Sequence, residues 1–352
     1  MTRNMRLLAS ASVLAAATVA ASPAFAAGTT AGTSVTNNVT LDYKVGGIDQ
    51  NQVSASDTFV VDRKVSLVVA EVGTSTTTVS PGQQAAVTTF SVTNSSNAAL
   101  DFALAATQLS GGTAAHGGTD NFNMAAVSLF VDTNTNGNYD VGVDTAITFL
   151  DQVPADSSRT VFVVANVPLG RATNDVAGVR LTATAAESTA IGTLGATITE
   201  TSGANTAGVD TVFADTNANG NTARDGIHFA EDDYTVLAAL LTATKSSRVI
   251  SDPFNGTTNP KMIPGAVVEY CIAVANATGS ASASGVNLSD TLPVTTTYDA
   301  AFGIKLNGTV TGSTCNADGV AGGAYASGIV SGTLGVVAPG LTRTLVFRVS
   351  VN

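Results

Sequence analysis

One stretch, residues 264 to 293, constrains this chain more than any other: PGAVVEYCIAVANATGSASASGVNLSDTLP. It reads as a Pro-Gly turn, an alternating strand, an Asn, a loop of small residues, and a second strand closed by Asp290-Thr291-Leu292-Pro293. Residues 81 to 102, PGQQAAVTTFSVTNSSNAALDF, repeat that order, with Gly82 and Asn94 twelve positions apart where Gly265 and Asn276 are eleven. Lys64 and Lys245 precede the two turns by 17 and 19 residues, and Arg159-Thr160 and Arg343-Thr344 each open a later apolar run. Self-similarity of this kind implies two copies of one supersecondary unit, each of roughly 105 residues.

Many short apolar runs separated by turn residues, with almost no helical period, predict an all-β chain of two β-sandwich units. The expected boundaries are an amino-terminal β-hairpin over 27–63, a first sandwich over 64–184, a β-rich connecting segment over 185–240 and a second sandwich over 241–352. In the hairpin, Val39, Leu41, Tyr43 and Val45 alternate with polar residues, the mark of a half-buried strand. Within the connecting segment, EDDYTVLAALL suits a strand or a short helix, and its continuity with Leu241 to Lys245 favours the strand. In the second unit Val268, Tyr270, Ile272 and Val274 share one face, which leaves Cys271 on the outer one.

The order Lys, Pro-Gly, aromatic-bearing strand, Asn and Asp-Thr-Leu-Pro over 245–352 resembles the conserved repeat of bacterial cell-surface proteins known as domain of unknown function eleven. The first copy lacks the Asp-x-Leu-Pro element. The resemblance implies an immunoglobulin-like sandwich in a surface or secreted structural module, with no catalytic residues to carry over.

Arg3 and Arg6, the apolar run from Leu7 to Ala21 and the Ala24-Phe25-Ala26 site read as a secretory signal peptide over 1–26. The expected location is outside the cytoplasm: cell surface, extracellular space or periplasm. No later run approaches the ~18 uninterrupted apolar residues of a membrane span. Without the signal, 13 basic residues face 26 acidic ones, a formal charge of −13 that argues against nucleic acid as a partner. An oxidising compartment makes a disulfide the favoured reading of Cys271 and Cys315, the two cysteines of the chain.

Two loops carry the pattern of a hard-cation site. Asp132, Asn134, Asn136, Asn138 and Asp140 place oxygens around Gly137 at the spacing of a calcium loop; its twelfth position is Val143, so Asp144 is the nearest acid. Asp215, Asn217 and Asn219 around Gly220 repeat the core, with Asp225, and Asp232 or Asp233, left to complete a cage. Ca2+ is the ion such loops would take, but the same residues also favour plain Asn-Gly turns. The adjacent pair Asp232-Asp233 reads as solvated, and zinc is disfavoured by two His residues, His116 and His228, far apart in sequence.

No GxSxG, HExxH or P-loop is present, and the chain is expected to be no enzyme. The reading that follows is an exported structural or adhesive protein whose partners are other surface proteins or envelope components. The rival is a carbohydrate-binding sandwich, weakened by the lack of Trp and by having only six Tyr. Residues 35 to 62 resemble the closing hairpin of such a repeat yet stand before the first unit, while the second unit stops at Val351-Asn352 without one. The plainer expectation packs the hairpin on its own neighbour; the alternative adds it to the second unit of another copy, head to tail.

Overall fold

The two Pro-Gly turns set the frame. In each the glycine takes the left-handed conformation that a type II turn needs, φ +78° at Gly82 and +84° at Gly265. The next amide closes the turn, Gln83 N to Ser80 O at 3.0 Å and Ala266 N to Ile263 O at 2.9 Å. The structure, a computed structural model, describes residues 28–312 and 314–352, so the expected signal peptide lies outside the described residues.

The described chain is all-β apart from one short 3-10 turn, Ala218–Gly220. Strands β1 (Ser34–Leu41) and β2 (Val53–Val60) form a separate two-stranded ribbon. The first sandwich follows with β3 (Leu67–Glu71), β4 (Thr77–Val79), β5 (Ala86–Asn94), β6 (Leu100–Gln108), β7 (Ala125–Val131), β8 (Phe149–Val153), β9 (Ser157–Asn166), β10 (Val176–Ser188) and β11 (Ile227–Val236). One sheet runs β7-β9-β5-β3 and the other β8-β6-β10-β11-β4, with β4 parallel to β11. That is an immunoglobulin-like arrangement. Alternate residues of β5, from Ala86 through Phe90 to Asn94, are buried against the opposite sheet, where Phe102, Leu181 and Tyr234 meet them.

The second sandwich contains β12 (Leu241–Ser251), β13 (Val267–Asn276), β14 (Val286–Thr291), β15 (Ile304–Gly308), β16 (Ile329–Leu334) and β17 (Thr342–Val351). Its larger sheet runs β12-β13-β17-β15, and the facing sheet is β14-β16 with the short strand Ala324–Ala326. Its core is smaller, built around Ile272, Leu306, Leu334, Leu345 and Phe347. Cys271 on β13 is bonded to Cys315. The pair packs with Val346, Ala273 and Phe302 in a cluster separate from that core, on the outer face where the alternation put Cys271.

The repeat is genuine down to the register. Val92 lies opposite Arg159 as Val274 lies opposite Arg343, and Phe90 opposite Val161 as Ile272 opposite Leu345. The two asparagines end equivalent strands and do the same work. Asn94 donates its side-chain amide to Ala98 O (2.9 Å) and Val153 O (2.8 Å); Asn276 donates to Ala281 O (2.7 Å) and Val337 O (2.9 Å). A buried carbonyl without a donor is costly, so each Asn fixes the loop that leaves its strand.

Three expectations need correction. Residues 185–240 are not a connecting segment, since β11 pairs with β10 over nine residues and Ile198, Phe213, Ala230 and Tyr234 belong to the first core. The first unit therefore runs to about residue 238, and EDDYTV is its last strand. Lys64 and Lys245 are not equivalents either. Leu67 faces Asn94 as Leu241 faces Asn276, so Lys245 occupies the place of Glu71. There it reaches across the sandwich to Asp290, Nζ to Oδ2 at 2.6 Å, joining two residues of the family-like pattern. The ribbon, finally, does not pack on its neighbour.

Candidate functional site

The ribbon is amphipathic with nothing covering its apolar face. Cross-strand pairing puts Val35, Val39 and Leu41 with Phe59, Ala55 and Val53 on one face, interrupted by the pair Asn37–Asp57, and Thr36, Asn38 and Thr40 with Thr58, Ser56 and Ser54 on the other. Val39 is 62% exposed and Phe59 59%. Hydrogen bonds hold its base, where Asn97 donates to Thr29 O and Asp62 O. A lone two-stranded hairpin is marginal in water, and an apolar face of this kind ordinarily lies against a partner.

The second sandwich offers the complementary gap. In the first unit β10 pairs along β6, and β11 covers the inner side of the edge strand β3, leaving Leu67 and Val69 fully buried. Among the described residues the second unit has no counterpart of β10 or β11. Its β14, the equivalent of β6, pairs only with β16, and Val286 and Leu288 remain half-buried. Along β12, residues 241 to 248 are all exposed.

The two Asn-Gly loops, alike in sequence, fold differently. In the first, between β7 and the short strand Thr145–Ala146, Asp132 accepts the amides of Asn136 (3.3 Å) and Gly137 (2.8 Å). Asp144 accepts those of Thr133 (3.0 Å) and Asp140 (2.7 Å). Asn134 and Asn136 both donate to Asp140 Oδ2, at 2.9 and 2.6 Å, and these two amides hold the Asp140 carboxyl below its usual range. Asn134 and Asn136 thus meet Asp140 through their NH2 groups, Asp132 and Asp144 brace backbone amides of the loop, and Asn138 turns its side-chain amide back to Asn136 O. The side-chain oxygens of Asn134 and Asn136 accept the backbone amides of Asn136 and Asn138, so the loop as folded is held by its own hydrogen bonds.

In the second loop Asp215 accepts the amides of Asp225 (3.3 Å) and Gly226 (3.1 Å), and Asp225 accepts that of Ile227. Asn217 makes no capping hydrogen bond to the following turn, and Asn219 lines a cavity beside Glu71. Asp215 and Asp225 here fasten a turn, and no cage forms around Asp215.

Nothing in the sequence joined His116 to Glu71, Asp232 and Asp233, yet the fold does. Asp232 points inward from β11, Glu71 ends β3, and the loop after β6 brings His116 between them. His116 Nε2 lies 3.2 Å from Glu71 Oε1; its Nδ1 lies 3.7 Å from Asp232 Oδ1 and 3.4 Å from Asp233 Oδ2. The adjacent aspartates are buried, not solvated. Burial pushes the Asp232 carboxyl up to about 7, against the amide of Asp233, with the charge of Glu71 adding to the rise. The one available signal was the alternation His228, Ala230, Asp232, Tyr234, Val236, which puts an acid on an inward face.

Of the tyrosines, Tyr270 packs on Phe347 and Tyr298 stacks on Tyr325, while Tyr43 and Tyr325 are exposed. No helix of the described residues is long and apolar enough to cross a membrane.

No family model matches the chain, and no curated protein matches it. Among solved structures, AvmM, described as catalysing macrocyclization in alchivemycin A biosynthesis, is 10% identical, with 56% of this chain and 95% of that chain covered at a TM-score of 0.22. A putative membrane anchored protein from Corynebacterium diphtheriae is 12% identical, with 91% and 89% covered at a TM-score of 0.20. Scores this low carry no statement about what this chain does.

Proposed function

We propose that this is an exported, non-catalytic structural protein of the cell surface or extracellular space whose copies join head to tail by strand donation. The carrying observation is the match between a ribbon with exposed apolar side chains and a second sandwich in which, among the described residues, one edge of β14 is unpaired and Leu241 on β12 is exposed. In this reading one strand of the β1–β2 ribbon pairs along the free edge of β14 in the next copy, as β10 pairs along β6. The other strand covers Leu241 and Tyr270, as β11 covers Leu67 and Val69. Backbone hydrogen bonds supply affinity, and alternate apolar side chains supply register. Donor and acceptor lie on different units, so the contact is heterologous and need not close, which yields fibres rather than dimers.

The likeness of 245–352 to a cell-surface repeat and the signal-like amino terminus support the compartment. The loop of Asp132, Asn134, Asn136, Asp140 and Asp144 serves as a weak calcium clasp, with Kd on the order of 10⁻⁴ to 10⁻³ M as in other extracellular modules. Light scattering on residues 27–352, and on the same chain lacking 27–60, tests the assembly. Growth with concentration for the first and a monomer for the second is expected. A full-length protein that stays monomeric at high concentration, or a truncated one that associates equally well, overturns the reading.

A further inference from the structure

We propose that Glu71, His116 and Asp232 form a binding site for one divalent transition-metal ion, Zn2+ or a chemically similar cation, with Asp233 orienting the histidine. The site is independent of strand donation and of the calcium loop.

The three side chains each offer one ligand atom, and these atoms lie within 4.8 Å of one another. Glu71 Oε1 and His116 Nε2 are 3.2 Å apart. Two donors on one tetrahedral ion with bonds of about 2.1 Å are separated by about 3.4 Å. Asp232 Oδ1 lies on the Nδ1 side of the ring, 3.7 Å from it, so bringing it onto the same ion requires a turn of its carboxylate or of the imidazole. An imidazole among carboxylates selects a zinc-like ion; calcium takes oxygen ligands alone.

The surroundings point to a ligand as well. Asp233 is fully buried, and its Oδ2 accepts the backbone amide of His116 at 2.7 Å while lying 3.4 Å from the ring Nδ1. A carboxylate behind the ring nitrogen opposite the ion is the usual support of a metal-bound histidine. Glu71 Oε1, His116 Nδ1 and Asp233 Oδ1 are buried and make no hydrogen bond among the described residues. Three carboxylates around one imidazole are short of positive charge, which a divalent ion supplies. A cavity of about 280 Å³, lined by Glu71, Ala115, Asn219, Phe229, Ala230 and Glu231, lies beside the Glu71 ligand.

The competing account is an imidazolium held by the same carboxylates without a metal. Calorimetric titration with ZnCl2, with Co2+ absorption as a second readout, separates the two. One ion per chain is expected, with affinity falling at least tenfold in both His116→Ala and Glu71→Gln and unchanged in Asp132→Ala. Glu71→Gln keeps the side-chain volume and serves if His116→Ala does not fold. Absence of zinc binding to the wild-type protein, or an affinity that neither His116→Ala nor Glu71→Gln alters, overturns the site.

Discussion

Leu67 and Leu241 hold the same position in two copies of one unit, opposite Asn94 and Asn276, yet the first is fully buried and the second 39% exposed. The turns, the asparagine braces and the strand registers agree between the copies. What differs is the strand pair β10–β11, present over the first and without a counterpart over the second among the described residues. A sandwich core is made by two sheets, so an edge strand is buried only as far as the facing sheet extends. The β1–β2 ribbon exposes Val39, Leu41, Val53 and Phe59, and nothing among the described residues covers them.

The sharpest way to break this comparison is to truncate both leucines. Leu67→Ala should cost about 2–5 kcal/mol, the range for a fully buried leucine, and lower the melting of the first unit. Leu241→Ala should cost under about 1 kcal/mol in the monomer, because much of its surface is already in water. Equal losses by calorimetry would show that the second unit is as closed as the first. The disulfide separates the units next. Cys271 and Cys315 close a loop of 44 residues, worth about 4 kcal/mol in the chain-entropy model. Reduction should move the melting of the second unit alone, and a shift in both transitions would mean the two do not melt independently.

The asparagines test the shared frame. Asn94→Ala and Asn276→Ala should each cost about 1–3 kcal/mol, since each strands buried backbone carbonyls. A large loss in one and none in the other would show that the repeat is not energetically equivalent. The smallest effect concerns the loops. Millimolar calcium should raise the melting temperature by a few degrees, about 1 kcal/mol or less, and Asp132→Ala should abolish the rise while Asp215→Ala, corrected for its own destabilisation, should not.

Much of this was legible because local chemistry records it. Pro81-Gly82 and Pro264-Gly265 specify their turns, Asn94 and Asn276 their braces, and strict alternation placed Cys271 on an outer face. The last strand of the first unit was not legible as such, because a long segment between Ser188 and Ile227, tied into the core only at points such as Ile198 and Phe213, separates β11 from its partner β10. Asp232 and Asp233 disguised it further, since they are acids buried beside the loop that carries His116. The Lys64 and Lys245 pairing was misled by similar spacing, where only strand register tells which residues correspond. The cluster around His116 joins positions 45 and 116 residues away, a distance over which one sequence without its fold carries no signal.

The most direct test of strand donation mixes two disabled proteins. Phe59→Asp spoils the donor face of the ribbon and leaves the second sandwich intact; Leu241→Asp spoils the acceptor and leaves the ribbon intact. By sedimentation velocity each alone should be monomeric at a concentration where the wild-type protein forms long assemblies, and the equimolar mixture should form a one-to-one dimer. A mixture that stays monomeric under those conditions, or a single variant that still assembles, would contradict strand donation.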